Sequence, residues 1–303
     1  MKKRFVIIAL AIFSCYNCFA QECCPTPCLN KCQLPSIGAD ILEIVACVPS
    51  EIEGCSCPFI RCSECLPPFV AAACTGDLDI LKILYKEVQR SHCEFDEELI
   101  EHACICASSN GQLEVLKFLF KKVIPDRSEF VSGETLRHCC ISAAAHGFHE
   151  TLKFLLEKAF PQSSCFIDRK LLNSCCIVAS ACGQKDVLKL LFYKIFPENL
   201  FFVEQPLLTC CSVFAAAGGQ VDTVKFLFKK IQPQISFCID QTMFSNCLIC
   251  ASATGQLETL RFLLKLASSA NYWYLENNVL EDCCYLATSH GHPEIAEFFS
   301  KIP

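Results

Sequence analysis

Cysteine is the residue with the greatest chemical capacity in this chain, and its copies fall in columns. Of 28 cysteines, Cys139, Cys175, Cys211, Cys247 and Cys283 follow one another at steps of 36 residues. A second column, one residue further on, holds Cys104, Cys140, Cys176 and Cys284. Three chemistries are open to such columns. In an oxidising compartment, thiols held close together form disulfides. As thiolates they bind zinc or softer metals. Left unpaired, cysteine behaves as a small hydrophobe and is among the most buried residue types.

Metal binding finds little support in the spacing. Adjacent cysteines on a helix point about 100° apart, so a pair such as Cys175-Cys176 is a poor chelate for one tetrahedral ion. Cys62-Ser-Glu-Cys65 and Cys247-Leu-Ile-Cys250 have the C-x-x-C spacing, but neither has a clear histidine framework, and the second lies in a helical pattern that packing explains. The seven histidines are His92, His102, His138, His146, His149, His290 and His292. Nothing selects one of them as the partner of a nucleophilic cysteine. No G-x-S-x-G, phosphate loop or H-E-x-x-H occurs. The sequence predicts no catalytic residue, no cofactor and no metal site, hence a protein that is not an enzyme.

The cysteine columns belong to a longer pattern that must position them. Gly76, Gly111, Gly147, Gly183, Gly219, Gly255 and Gly291 are spaced 35 residues apart and then 36 throughout. A period held this tightly means one supersecondary unit copied and stacked, which is the signature of a solenoid. In the third copy Leu136, Cys139, Cys140, Ala143 and Ala144 sit at helical spacing, predicting a first helix that ends at the glycine. A second helix follows. Its acid (Asp79, Glu114, Glu150, Asp186, Asp222, Glu258, Glu294) stands three residues after the glycine, and a base three residues later (Lys82, Lys117, Lys153, Lys189, Lys225, Arg261). The acid faces the positive end of its helix dipole and the i,i+3 pair is favourable. The last copy departs, with Glu297 at the base position.

This pattern closely resembles the ankyrin repeat, whose signature runs TPLHxAAxxGHxEVVKLLL. The best local match is AAAHGFHETLKFLL at 143–156, followed by SHGHPEIAEFF at 289–299. The resemblance covers 66–303 and implies an all-α, ankyrin-type helix-pair solenoid that binds proteins. Two departures stand out. Cys-Cys-Ile or a relative replaces TPLH, and the period of 36 exceeds the family's length of about 33, placing extra residues in the hairpin region.

Upstream, Gly38 to Ala46 echoes the second-helix half of a copy, and nine cysteines lie within 23–65. The expectation for 21–65 is a cysteine-rich N-terminal segment with a degenerate capping half-repeat. Residues 1–20 read as a signal peptide: Lys2, Lys3 and Arg4 precede the apolar run Phe5–Phe13, and Ala20 offers a cleavage point. A lipoprotein site at Cys15 is the competing reading. The run is too short for a comfortable span, which needs about 20 residues. Export places the protein outside the cytoplasm, either secreted or in a periplasm or cell envelope. Cleavage removes three positive charges from a chain already at −6. So acidic a chain is unsuited to nucleic acid, whose binding requires a basic surface.

For the disulfide chemistry, helices of neighbouring copies pack about 8–10 Å apart, whereas a bridge needs Cα atoms within about 7 Å. Partners in one column are too distant by this measure, and staggered ones such as Cys140 and Cys175 fit better. Candidate bridging residues are Cys139, Cys140, Cys165, Cys175, Cys176, Cys211, Cys247, Cys283 and Cys284. For partner binding, one hairpin position becomes aromatic towards the C-terminus. Phe201, Phe237 and Trp273, with Tyr272, are the candidate anchors of a protein interface. Three functions follow: an exported protein-interaction scaffold, a disulfide-hardened envelope or coat protein, and a thiol-redox or metal-sequestering protein.

Overall fold

The computed structural model describes residues 68–90, 97–123, 133–159, 169–195, 205–231, 241–269 and 277–301. These carry fourteen α-helices and no strand. In chain order the pairs are α1 (Pro68–Thr75) with α2 (Leu78–Arg90), α3 (Glu97–Ser109) with α4 (Leu113–Phe118), and α5 (Gly133–His146) with α6 (His149–Phe154). Then come α7 (Arg169–Ala181) with α8 (Lys185–Leu190), α9 (Gln205–Ala217) with α10 (Val221–Phe226), α11 (Gln241–Ala253) with α12 (Leu257–Ser269), and α13 (Asn277–Ser289) with α14 (Pro293–Ser300). The signal peptide and cysteine-rich segment expected at 1–20 and 21–65 lie outside the described residues.

Contacts divide the chain into two compact units, one ending at Cys176 and the other resuming at Ile177, inside α7. In the first, α1 packs on α3, α3 on α5 and α4 on α6. In the second, α9 packs on α11, α11 on α13, and α10 on both α8 and α12. Within each unit, first helices meet first helices and second helices meet second helices, in chain order.

The columns explain this layering. First helices are flanked by like neighbours, so small residues fill them nearly all round. In α5, Cys139, Cys140, Ala143 and Ala144 have no exposed surface. Second helices bury one stripe. Leu116, Leu152, Leu188, Val224 and Leu260 form it, with Leu119, Leu155, Leu191, Leu227 and Leu263 one turn on, all completely buried. Each leucine contributes about 1.5–3 kcal/mol by leaving water. The opposite face carries the acid–base column. Lys117–Glu114 (2.6 Å), Lys189–Asp186 (2.7 Å) and Lys225–Asp222 (3.1 Å) pair across one turn on the surface. Where the base is missing, Glu297 pairs with Lys301 at 2.7 Å instead.

Each helix pair turns in two steps. In α3 the Gly111 N–H bonds Ser108 O and the Gln112 N–H bonds Ala107 O, which is a Schellman ending with glycine at φ +70°. Gln112 then adopts φ −78°, ψ 69°, and the Leu113 N–H reaches back to Gly111 O, an inverse γ-turn. The same bonds recur at Gly147, Gly183, Gly219 and Gly255. A further column completes the ending. Thr75, Asn110, His146, Thr254 and His290, just before the glycine, turn side-chain donors onto the carbonyls of Ala71, Cys106, Ser142, Cys250 and Leu286. His146 and His290 are therefore helix-terminating residues.

One feature departs from the expected plain second helix. α4, α6, α8 and α10 each run on into a five-residue π turn, at Leu119–Val123, Leu155–Ala159, Leu191–Ile195 and Leu227–Ile231. In the sequence, Pro125, Pro161, Pro197 and Pro233 stand two residues beyond each turn. In α2 and α12, which stay α-helical to the end, Arg90 and Ser269 hold that place. Proline lacks an N–H, and its ring strikes the carbonyl four residues back in α geometry, so the preceding turn opens.

Candidate interaction surface and thiol columns

The cysteine columns lie where the first helices press together. Cys139, Cys175, Cys211, Cys247 and Cys283 are fully buried, as are Cys104, Cys140 and Cys176, while Cys284 is half-buried. No disulfide is present among the described residues. Cys165 lies outside them.

Burial dominates the acidity of these thiols. It raises Cys175 to about 12 against an opposing pull from Arg137, and raises Cys211 and Cys283 to about 12 as well. The Cys211 and Cys283 thiols are each hydrogen-bonded to a serine of the preceding first helix, Ser180 and Ser252 respectively, which opposes the shift. Cys104 and Cys140 are pushed well above the ordinary range by burial, then by a neighbouring thiol, Cys139 for Cys104 and Cys175 for Cys140. A reactive or metal-binding cysteine needs the opposite, a depressed pKa in an electropositive, accessible setting. Among the described residues no group of three or more His, Cys, Asp or Glu side chains is arranged to hold a metal.

The aromatic positions Phe201, Phe237, Tyr272 and Trp273 lie outside the described residues. What the structure places on the open side of the first helices is a different column, nine and ten residues before each glycine. In the first unit it reads Glu101-His102, Arg137-His138 and Asn173-Ser174; in the second, Thr209-Cys210, Ser245-Asn246 and Glu281-Asp282. Most are half-buried, with Glu281 and Asp282 exposed. Glu134 lies 3.3 Å from His138 Nε2 and 3.6 Å from Arg137 Nε, and Thr135 donates a hydrogen bond to Glu101. The column thus carries charge at Glu101-His102 and Arg137-His138, is neutral from Asn173-Ser174 to Ser245-Asn246, and is acidic at Glu281-Asp282. Its signal in the sequence is variation itself: large apolar residues such as Leu136, Leu172 and Leu208 precede it, alanine or cysteine follows it, and its own charge differs between copies.

Large apolar side chains are exposed at few described positions. Ile80 and Ile83 on α2 are 46% and 58% exposed, although the equivalents of Ile80 in later pairs, Val115 and Val187, are buried. Tyr285 on α13 is 68% exposed, whereas its equivalents Ile105, Ile141 and Ile249 are buried. Among the described residues no helix is long and apolar enough to cross a membrane. The chain matches no protein-family model and no curated protein.

Proposed function

We propose that the chain is an exported, ankyrin-type solenoid whose function is to hold a protein partner along the first-helix and hairpin side. The observation that carries this reading is the contrast between columns. The glycine recurs unchanged, the alanine, leucine and acid–base columns recur with few substitutions such as Ser180, Val224 and Glu297, and together they account for folding. The positions nine and ten before each glycine vary in charge, and all of them except the buried Ser174 and Cys210 are half-buried or exposed, which folding alone does not demand. Variable polar positions on a rigid, repeated support suit recognition of a macromolecular surface. The helix pair with its glycine-ended turn supports the ankyrin-type assignment. The match of Asp40-Ile-Leu-Glu-Ile-Val45 to Asp79-Ile-Leu-Lys-Ile-Leu84 supports a degenerate capping half-repeat within 21–65.

Cross-linking mass spectrometry on the exported protein in its native extract tests the binding role. The expected result is cross-links to one second polypeptide, lost when Arg137, His138 and Glu101 are changed together to Ala while helicity is retained. Unchanged cross-links in that variant overturn the proposal. N-terminal sequencing of the mature protein tests export, with Gln21 the expected first residue. The envelope or coat reading has its own discriminator, since a cross-linked coat dissolves only with reductant.

A further inference from the structure

Cys104 and Cys139 belong to neighbouring first helices, α3 and α5, which pack directly on each other. Their register is set by the hydrogen bond from Thr135 to Glu101. One helical turn further along each helix the facing residues are Cys104 and Cys139, three residues on from Glu101 and four from Thr135. Cys140 on α5 and Cys175 on α7 stand at the same separation of 35 residues, and the two thiols are close enough for Cys175 to raise the Cys140 pKa. All four side chains have no exposed surface. Small residues share the seam they occupy: Ala103, Ala107 and Ser108 on α3, and Ala143 and Ala144 on α5, are equally buried. Small residues bring helix axes to the close end of the packing range, where a disulfide's limit of about 7 Å between Cα atoms comes within reach.

We propose that Cys104–Cys139 and Cys140–Cys175 are two staggered cross-linking sites, closed as disulfides by a low-molecular-weight or protein disulfide donor while the chain folds, so that α3, α5 and α7 are stapled in series. The inference rests on the proposed export only for the source of oxidant. The chemistry balances as two exchanges. The Cys140 thiolate attacks one sulfur of the donor disulfide, and the donor's other sulfur leaves as a thiolate. The Cys175 thiolate then attacks the Cys140 sulfur, forming the bridge and releasing the second donor thiolate. Two protons pass from the cysteines to the donor, which is reduced to two thiols. Burial dictates the timing. Once folded, these thiols are shielded from solvent, so exchange must precede closure of the seam.

The test is to refold the full chain with glutathione disulfide, block remaining thiols, digest with trypsin without reduction and identify linked peptides. Cys104 falls in peptide 91–117, Cys139 and Cys140 in 138–153, and Cys175 in 171–185. The expected products are links from 138–153 to both other peptides. Cys140→Ala removes the link to 171–185 and keeps that to 91–117, and Cys139→Ala does the reverse. Recovery of these peptides unlinked from wild-type protein of native helicity, or linked mainly to other peptides, overturns the proposal. The wild-type digest stands even where a variant fails to fold, and its failure leaves N-terminal sequencing and partner cross-linking unaffected.

Discussion

The ring of Phe148 lies over Gly111, its nearest carbon 2.5 Å from the point where a β-carbon would stand. The glycine is thus held by two independent causes, a left-handed backbone at φ +70° and a neighbour from the following helix pair in the side-chain space. Gly255 is in the same position beneath His292, also at 2.5 Å. Gly291 shares the backbone, at φ +82°, but has nothing within 4 Å.

Glycine-to-alanine substitutions separate the two causes. Gly291→Ala loses about 1–2 kcal/mol, the cost of a left-handed conformation for a residue with a β-carbon. Gly111→Ala loses more, because Phe148 must also move. Gly133, at the start of α5, has neither constraint, and Gly133→Ala is expected to cost nothing and to gain up to about 1 kcal/mol. Urea unfolding of the three variants checks the order.

Leucine and isoleucine truncations should follow the stripe. Leu188 is completely buried, and Leu188→Ala is expected to cost about 2–5 kcal/mol through lost burial and the cavity left. Ile83 is 58% exposed, and Ile83→Ala should cost under about 1 kcal/mol. Equal losses at the two sites in denaturant titrations would contradict the described packing of α2.

Two buried hydroxyls, Ser212 Oγ and Thr259 Oγ1, have no hydrogen-bond partner. A buried donor left unsatisfied costs about 1–3 kcal/mol, so replacing it with an apolar group of the same shape is favourable. Thr259→Val is expected to stabilise the protein by about 1 kcal/mol, and Ser212→Ala to be neutral or stabilising. The chain already carries valine in the Thr259 column, at Val115 and Val187. A fall in thermal midpoint for Thr259→Val would refute the expectation.

The buried thiols impose a pH dependence in the alkaline range. Cys211 and Cys283, which lie outside the proposed bridges, are raised to about 12, whereas an unfolded thiol ionises near about 8.5. Above about 8.5 the unfolded chain releases protons that the folded chain retains, so stability falls as pH rises. It is fully present below about 8.5 and is lost progressively towards 12, at up to about 1.4 kcal/mol per unit for each thiol. Urea midpoints at pH 8 and pH 10 should show the decline, and Cys211→Ala should flatten it.

Much of the helix pairing was readable from the residues alone. The glycine column required a left-handed ending, the leucine and acid–base columns defined a helix with one dry face, and the paired cysteine columns fell on the apolar first helix. These are local matters: backbone sterics and side-chain period act within a few residues, and the sequence contains both. Even the π turns had a local sign, in the proline two residues beyond each of the four and absent after α2 and α12. The capping role of His146 and His290 likewise rests on a carbonyl four residues away.

What needed the tertiary structure was everything set by a neighbouring helix pair. Sequence spacing offered Cys140–Cys175 as a staggered option and did not raise Cys104–Cys139, which the hydrogen bond from Thr135 to Glu101 brings into register. The column from Glu101 to Asp282 varies visibly in the sequence, but its half-open setting was not legible there, because accessibility depends on what lies across the seam. The ring of Phe148 over Gly111 belongs to the same class. A period says that units stack; how one unit's side chains meet the next is decided only by the distance and rotation between them.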